Sequence, residues 1–172
     1  WSISMMMWLS DRTWQDQWEE GVRMLRLTLS HQEGVPSSAL IAPLSGIVWL
    51  LGEIGDPAET RAYAQALLTR SIECADANGI FAAHMRLASA AWKANDLEGA
   101  RAEFIAARDT WPPTANIARC GAALDRGRME LAIGDVAEAE KAFRTALEHG
   151  HRAGTLSMLG RAASFLGLAL RE

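Results

Sequence analysis

The chain has 172 residues, of which 49% are hydrophobic and 22% charged. That is enough for one domain with a sizeable core, in the balance of a globular protein rather than a disordered or membrane one. Its net charge of −4 argues against direct nucleic-acid binding, which needs a basic face.

Ala, Leu, Arg and Glu dominate, β-branched residues are sparse and no alternating strand pattern occurs, which predicts an all-helical chain. The first helix spans 1–9. Its apolar start, Trp1 to Leu9, has no preceding basic stretch and is too short for a signal peptide. Lacking an initiator Met, the chain is expected to be a piece of a longer protein. Helices follow over 13–32, 37–54, 57–77, 80–94, 97–110, 114–133, 136–149 and 154–171. The longest uncharged stretch, Gly34 to Gly52, is interrupted by Pro36, Pro43 and three serines, so no membrane span is expected.

The breaks between helices recur. Ser10-Asp11, Gly55-Asp56, Asn95-Asp96 and Gly134-Asp135 lie 45, 40 and 39 residues apart. Each Asp suits an N-cap, its carboxylate accepting from free N–H groups of the next helix. Asp56 is reinforced by Pro57 and Glu59, and Asp135 by Glu138. A second set of breaks alternates with the first: Gly34-Val35-Pro36, Asn78-Gly79, Trp111-Pro112-Pro113, and Gly150 to Gly154. Two helices per period near 40 predict an α-solenoid of about nine helices. Its repeats cover about 1–35, 36–79, 80–113, 114–153 and a partial 154–172, in a single domain.

The third and fourth repeats agree best. Asn95-Asp96, Ala100, Phe104 and Ala107 recur 39 residues later as Gly134-Asp135, Ala139, Phe143 and Ala146. Small residues allow two antiparallel helices to approach, and the Phe one turn on fills the gap to the next repeat. With Leu87, Ala88 and Pro112 in the third repeat and Gly127 in the fourth, this pattern resembles the tetratricopeptide repeat. The resemblance covers about half the chain by motif and the rest by period. It implies a right-handed superhelix of helix hairpins, with the first helix of each repeat on the concave face. The 39–40 period and the Ala/Arg/Leu-rich composition resemble the C-terminal repeat regions of large bacterial regulators of the MalT/LuxR type. That implies an inducer- or partner-sensing role in transcription regulation.

Side chains that suggest chemistry are few. Glu19 and Glu20 are helix neighbours and do not face each other. His31, His84, His149 and His151 include the Glu148–His151 run, but further metal ligands at suitable spacing are missing. Cys74 and Cys120 have no CxxC spacing and no sequence neighbour to lower a thiol pKa; they read as free thiols of a reducing, cytoplasmic compartment. No cofactor or metal is expected, and no catalytic residue is assigned.

Four of the seven tryptophans (Trp1, Trp8, Trp14, Trp18) lie in the first 18 residues, whereas all 31 alanines follow from Ala39 onward. Placing the first helix of each repeat inward presents Trp1, Met5 and Trp8; Ser45 and Trp49; Met85, Ser89 and Trp92, with Lys93 at the edge; then Leu124, Arg128 and Leu131; and finally Arg161 and Ser164. Trp supplies contact area at low entropic cost, and Met adapts its shape. A groove formed by Met5, Trp8, Trp49, Met85, Ser89, Trp92, Leu124 and Arg128 suits an apolar small molecule or an amphipathic peptide or protein. The alternative reading of the same residues is inter-helix core. Trp14 and Trp18 read as core or as a buried contact with a missing preceding repeat, and Trp111 as a staple before Pro112. The expected function is a non-catalytic binding domain of a regulator. The alternatives are a scaffold or adaptor that binds peptides or self-associates through uncapped solenoid ends, and an apolar-ligand protein with an enzymatic role.

Overall fold

A computed structural model describes residues 12–31, 33–54, 56–110 and 115–171. They form eight helices: α1 Arg12–Ser30, α2 Ser37–Ile54, α3 Pro57–Glu73, α4 Ala77–Lys93, α5 Leu97–Thr110, α6 Asn116–Ala132, α7 Val136–Ala153 and α8 Leu156–Ala169. The chain is all-α, as the composition predicts. The expected helix over 1–9 and the breaks at Ser10-Asp11 and Trp111–Pro113 lie outside the described residues. None of the described helices is long and apolar enough to cross a membrane.

The chain divides after Asp96 into two compact units. In the N-terminal unit α1 packs on α2, α2 on α3 and α3 on α4, and α2 also reaches α4 directly. Its core joins Val22 and Leu29 of α1, Ile47 and Leu51 of α2, Leu67 of α3 and Leu87 of α4. The C-terminal unit repeats the scheme, α5 on α6, α6 on α7 and α7 on α8, with α6 reaching α8. In both units the direct contact that skips a helix joins the first helices of successive repeats, which is how hairpins stack.

Four corners share one geometry. The backbone is left-handed at Ala75 (φ 52°), Asn95 (φ 61°), Gly134 (φ 84°) and Gly154 (φ 66°). At each, the following N–H donates back to the carbonyl five residues earlier: Asp76 to Ser71 O, Asp96 to Ala91 O, Asp135 to Glu130 O and Thr155 to Gly150 O. This is the Schellman closure, which satisfies carbonyls left over at a helix end. The residue that donates then precedes the next helix. Asp56 accepts from Glu59 N–H at 3.1 Å, Asp76 from Asn78 N–H at 3.1 Å and Asp135 from Glu138 N–H at 3.3 Å.

Two boundaries differ from expectation. The α3–α4 corner lies at Cys74–Asp76 rather than at Asn78-Gly79, so α3 stops at Glu73 and α4 begins at Ala77. Gly79 is a close-approach glycine, because a Cβ there would fall 2.0 Å from Ser71 Oγ. Helix α7 likewise runs to Ala153, not 149, and turns at Gly154. Gly150 remains helical and is packed against Leu159 and the Cys120 thiol.

The predicted Ala/Phe/Ala correspondence is a correspondence in burial. Ala100, Phe104 and Ala107 of α5 are buried, as are Ala139, Phe143 and Ala146 of α7. The Phe143 ring stacks on Phe165 of α8 with centroids 5.5 Å apart and planes at 13°. Its other neighbour is Gly127 of α6, where a Cβ would come within 2.5 Å of the ring.

Candidate functional site

Helices α2 and α4 carry the described N-terminal part of the expected groove. Trp49 of α2 is 42% exposed, and its ring lies 5.5 Å from that of Trp18 of α1, tilted by 53°. Trp18 is half-buried. Met85, Ser89 and Trp92 follow one face of α4 by helical spacing, and all three are half-buried, as is Ser45 of α2. Lys93 is engaged: its Nζ donates to Gly52 O at 2.6 Å, holding a carbonyl at the end of α2. Met5 and Trp8, like Trp1, Trp111 and the Trp14 side chain, lie outside the described residues.

The C-terminal members of that set behave differently. Leu124 is 1% exposed and sits in the core with Cys120, Phe143 and Ala162. It is a packing residue and not a groove wall, because the rotation of α6 turns it toward α7 and α8. Arg128 is exposed, pairs with Asp125 at 3.3 Å and places its guanidinium carbon 5.7 Å from the Phe165 ring centroid. Leu131 packs against the core. Arg161 and Ser164 are exposed, with Ser164 Oγ donating to Gly160 O at 2.8 Å.

Two of the histidines are hydrogen-bonded within the fold, and both cysteines are free thiols. His31 Nδ1 is 2.9 Å from Leu27 O, His149 Nδ1 is 3.0 Å from Asn116 Oδ1, and His151 is exposed. Cys74 ends α3, its N–H donating to Arg70 O. Cys120 is buried, and burial pushes its thiol above the ordinary range, Arg161 opposing the shift. Glu20 is bound by Arg23 Nε at 2.6 Å, and that bond holds its carboxyl below the usual range. Among the described residues no three His, Cys, Asp or Glu side chains converge as metal ligands.

A fully buried carboxylate, Glu130 of α6, organises the C-terminal unit. Arg101 of α5 grips it with two parallel bonds, Nε to Oε1 at 2.9 Å and Nη2 to Oε2 at 2.6 Å. The same Nη2 reaches Asp135 Oδ2 at 2.9 Å, tying α5 to the α6–α7 corner. These bonds, those to Glu130 foremost, raise the Arg101 pKa above its ordinary value. Bidentate pairing of this kind is specific in geometry as well as strong.

Beside this network lies a pocket that sequence reasoning did not assemble, of about 190 Å³. Phe104, Ile105 and Arg108 of α5 form one wall, and Arg119, Ala122, Ala123 and Arg126 of α6 the floor. Lys141, Ala142, Thr145 and His149 of α7 close the other side. The lining thus combines four cationic side chains and an imidazole with five apolar residues, and no lining residue is acidic. The carboxylates that answer these cations stand outside the lining. Asp109 holds Arg108 at 2.7 Å, and Glu138 holds Arg126 at 2.5 Å and Lys141 at 3.5 Å. Glu130 lies 3.5 Å from Arg126 Nε, which is buried without a hydrogen-bond partner. Burial first and Arg119 second hold the His149 imidazole below its ordinary pKa. The sequence signal was present as spacing, Arg119 and Arg126 at i and i+7 and Lys141, Thr145 and His149 at i, i+4 and i+8, but spacing does not say which faces meet.

No protein-family model, curated protein or solved structure matches the chain.

Proposed function

We propose that the chain is a non-catalytic helical-repeat module that binds an apolar ligand or the apolar face of an amphipathic helix. Binding uses the aromatic surface of its N-terminal unit. The observation that carries this is the Trp18–Trp49 pair, with Trp49 left 42% exposed on the first helix of a repeat. Large aromatic side chains left at a surface are characteristic anchors of recognition sites. Met85, Ser89 and Trp92 lie half-buried on α4, which packs directly on α2, and would add an adaptable Met, a polar hydroxyl and a third indole to the site. In the setting that the MalT/LuxR resemblance implies, such a module is the inducer- or partner-sensing part of a cytoplasmic bacterial transcriptional regulator. A full-length sequence with a neighbouring P-loop ATPase or helix-turn-helix domain is the check on that setting.

The test is intrinsic Trp fluorescence and melting temperature against a panel of apolar small molecules and amphipathic helical peptides. Trp49→Ala and Trp92→Ala serve as comparisons. Saturable binding weakened by both substitutions is expected, and binding indifferent to both sinks the reading.

A scaffold that self-associates is favoured by a different observation, the exposure of Leu156, Leu168 and Leu170 along and just beyond α8. Its readout is the sedimentation coefficient against concentration, which Leu168→Asp should render flat if this surface pairs with another copy.

A further inference from the structure

We propose that the pocket between α5, α6 and α7 is a binding site for a small carboxylate with an aromatic or branched hydrocarbon body. The inference is independent of the aromatic surface of the N-terminal unit. Three features of the pocket carry it.

The first is charge. In a chain of net charge −4, Arg108, Arg119, Arg126 and Lys141 line one concavity together. Like charges gathered on an apolar base repel, and the carboxylates answering them, Asp109, Glu130 and Glu138, approach from outside the lining. An anion seated inside would share these cations with the carboxylates that already pair them, and it would meet no carboxylate of the lining itself. Guanidinium groups are suited to this, because their fork matches the two oxygens of a carboxylate.

The second is the apolar base. Phe104, Ile105, Ala122, Ala123 and Ala142 present hydrocarbon. A bare phosphate would leave that surface unused, whereas a carboxylate carrying a hydrocarbon body would bury it.

The third is size. At about 190 Å³ the pocket is somewhat larger than a cavity of about 150 Å³ that takes benzene, and it is too small for a folded peptide segment. A benzoate-sized acid fits the volume, its ring on the alanines and its carboxylate toward the arginines.

Benzoate titrated into the full chain, followed by calorimetry and by NMR of the His149 ring and the Thr145 methyl, tests the proposal. Benzamide is the neutral arm and inorganic phosphate the bare-anion arm. Saturable benzoate binding that shifts both signals is expected, with each control about tenfold or more weaker, the effect of losing one charge-assisted contact or the hydrocarbon contact. Arg119→Gln and Lys141→Glu should each weaken benzoate to a similar extent. The Lys141 side chain is 72% exposed, so its substitution separates loss of the site from loss of the fold. Benzamide or phosphate binding as well as benzoate, or benzoate binding unchanged by both substitutions, overturns the proposal.

Discussion

Ala75 stands at φ 52°, in the backbone region that costs a residue with a Cβ roughly 1–2 kcal/mol. Gly134 and Gly154 occupy the same position of the other corners without that cost, and Asn95 belongs to the residue types that tolerate it. Ala75→Gly should therefore stabilise the chain by about 0.5–1 kcal/mol, the relief of strain exceeding the added freedom of the unfolded chain. A higher urea midpoint at unchanged slope is the measurement. His149 gives a second prediction at this scale. Its pKa is lowered in the folded chain by burial and by Arg119, so the folded state binds fewer protons than the unfolded state. Stability is then full above the ordinary imidazole value of about 6.5 and is lost as pH falls through that value toward the lowered one. His149→Gln removes this group, so its melting temperature should drop less than that of the parent between about pH 7.5 and about pH 5.5.

Between elements, close approach is set by what is missing from a side chain. The Phe143 ring lies where a Cβ on Gly127 would stand, 2.5 Å away, and Phe143 is itself buried and stacked on Phe165. Neither ring can yield without moving α7 against α8. Gly127→Ala should therefore destabilise by about 1–3 kcal/mol, the usual cost of overpacking, despite the better helix propensity of Ala. Gly121, on the same helix with no atom within 4 Å of its Cβ position, is the internal control: Gly121→Ala should be neutral or stabilising in the same denaturation experiment. The contrast also separates two uses of glycine that look alike in the sequence. Gly79 and Gly150 belong to predicted breaks, yet both are buried inside helices, where a neighbouring side chain occupies the space a Cβ would fill.

At the scale of the molecule, the chain is two compact units, each a short stack in which consecutive helices pack and the first helices of successive repeats also meet. Ala75 stands at the α3–α4 corner of one unit, and Gly127 stands against Phe143 in the other. The stability changes of Ala75→Gly, in the N-terminal unit, and Gly127→Ala, in the C-terminal unit, should add in the double variant to within about 0.5 kcal/mol. A larger interaction energy in the double-mutant cycle would contradict that independence. The overall charge and the local charge also part company here. The chain is net acidic, while the pocket of the C-terminal unit is lined by cations alone among its charged residues.

What was determined by the sequence alone is local in origin. Helix type follows from propensity and from the absence of alternation. The breaks at Asp56 and Asp135 follow from capping chemistry written within four residues, and both cap as expected. The Ala/Phe/Ala correspondence between α5 and α7 was legible because small and large residues must alternate wherever hairpins stack. The tertiary structure decided what depends on the rotation of each helix about its own axis. That rotation buried Leu124 and left Trp49 at the surface. It set Ser71 of α3 against Gly79 inside α4, while the α3–α4 corner itself lies at Ala75. It also turned Arg108, Arg119, Arg126 and Lys141, from three helices, into one pocket. Such meetings are set by long-range packing, which a helical period constrains to a face but cannot direct toward a neighbour.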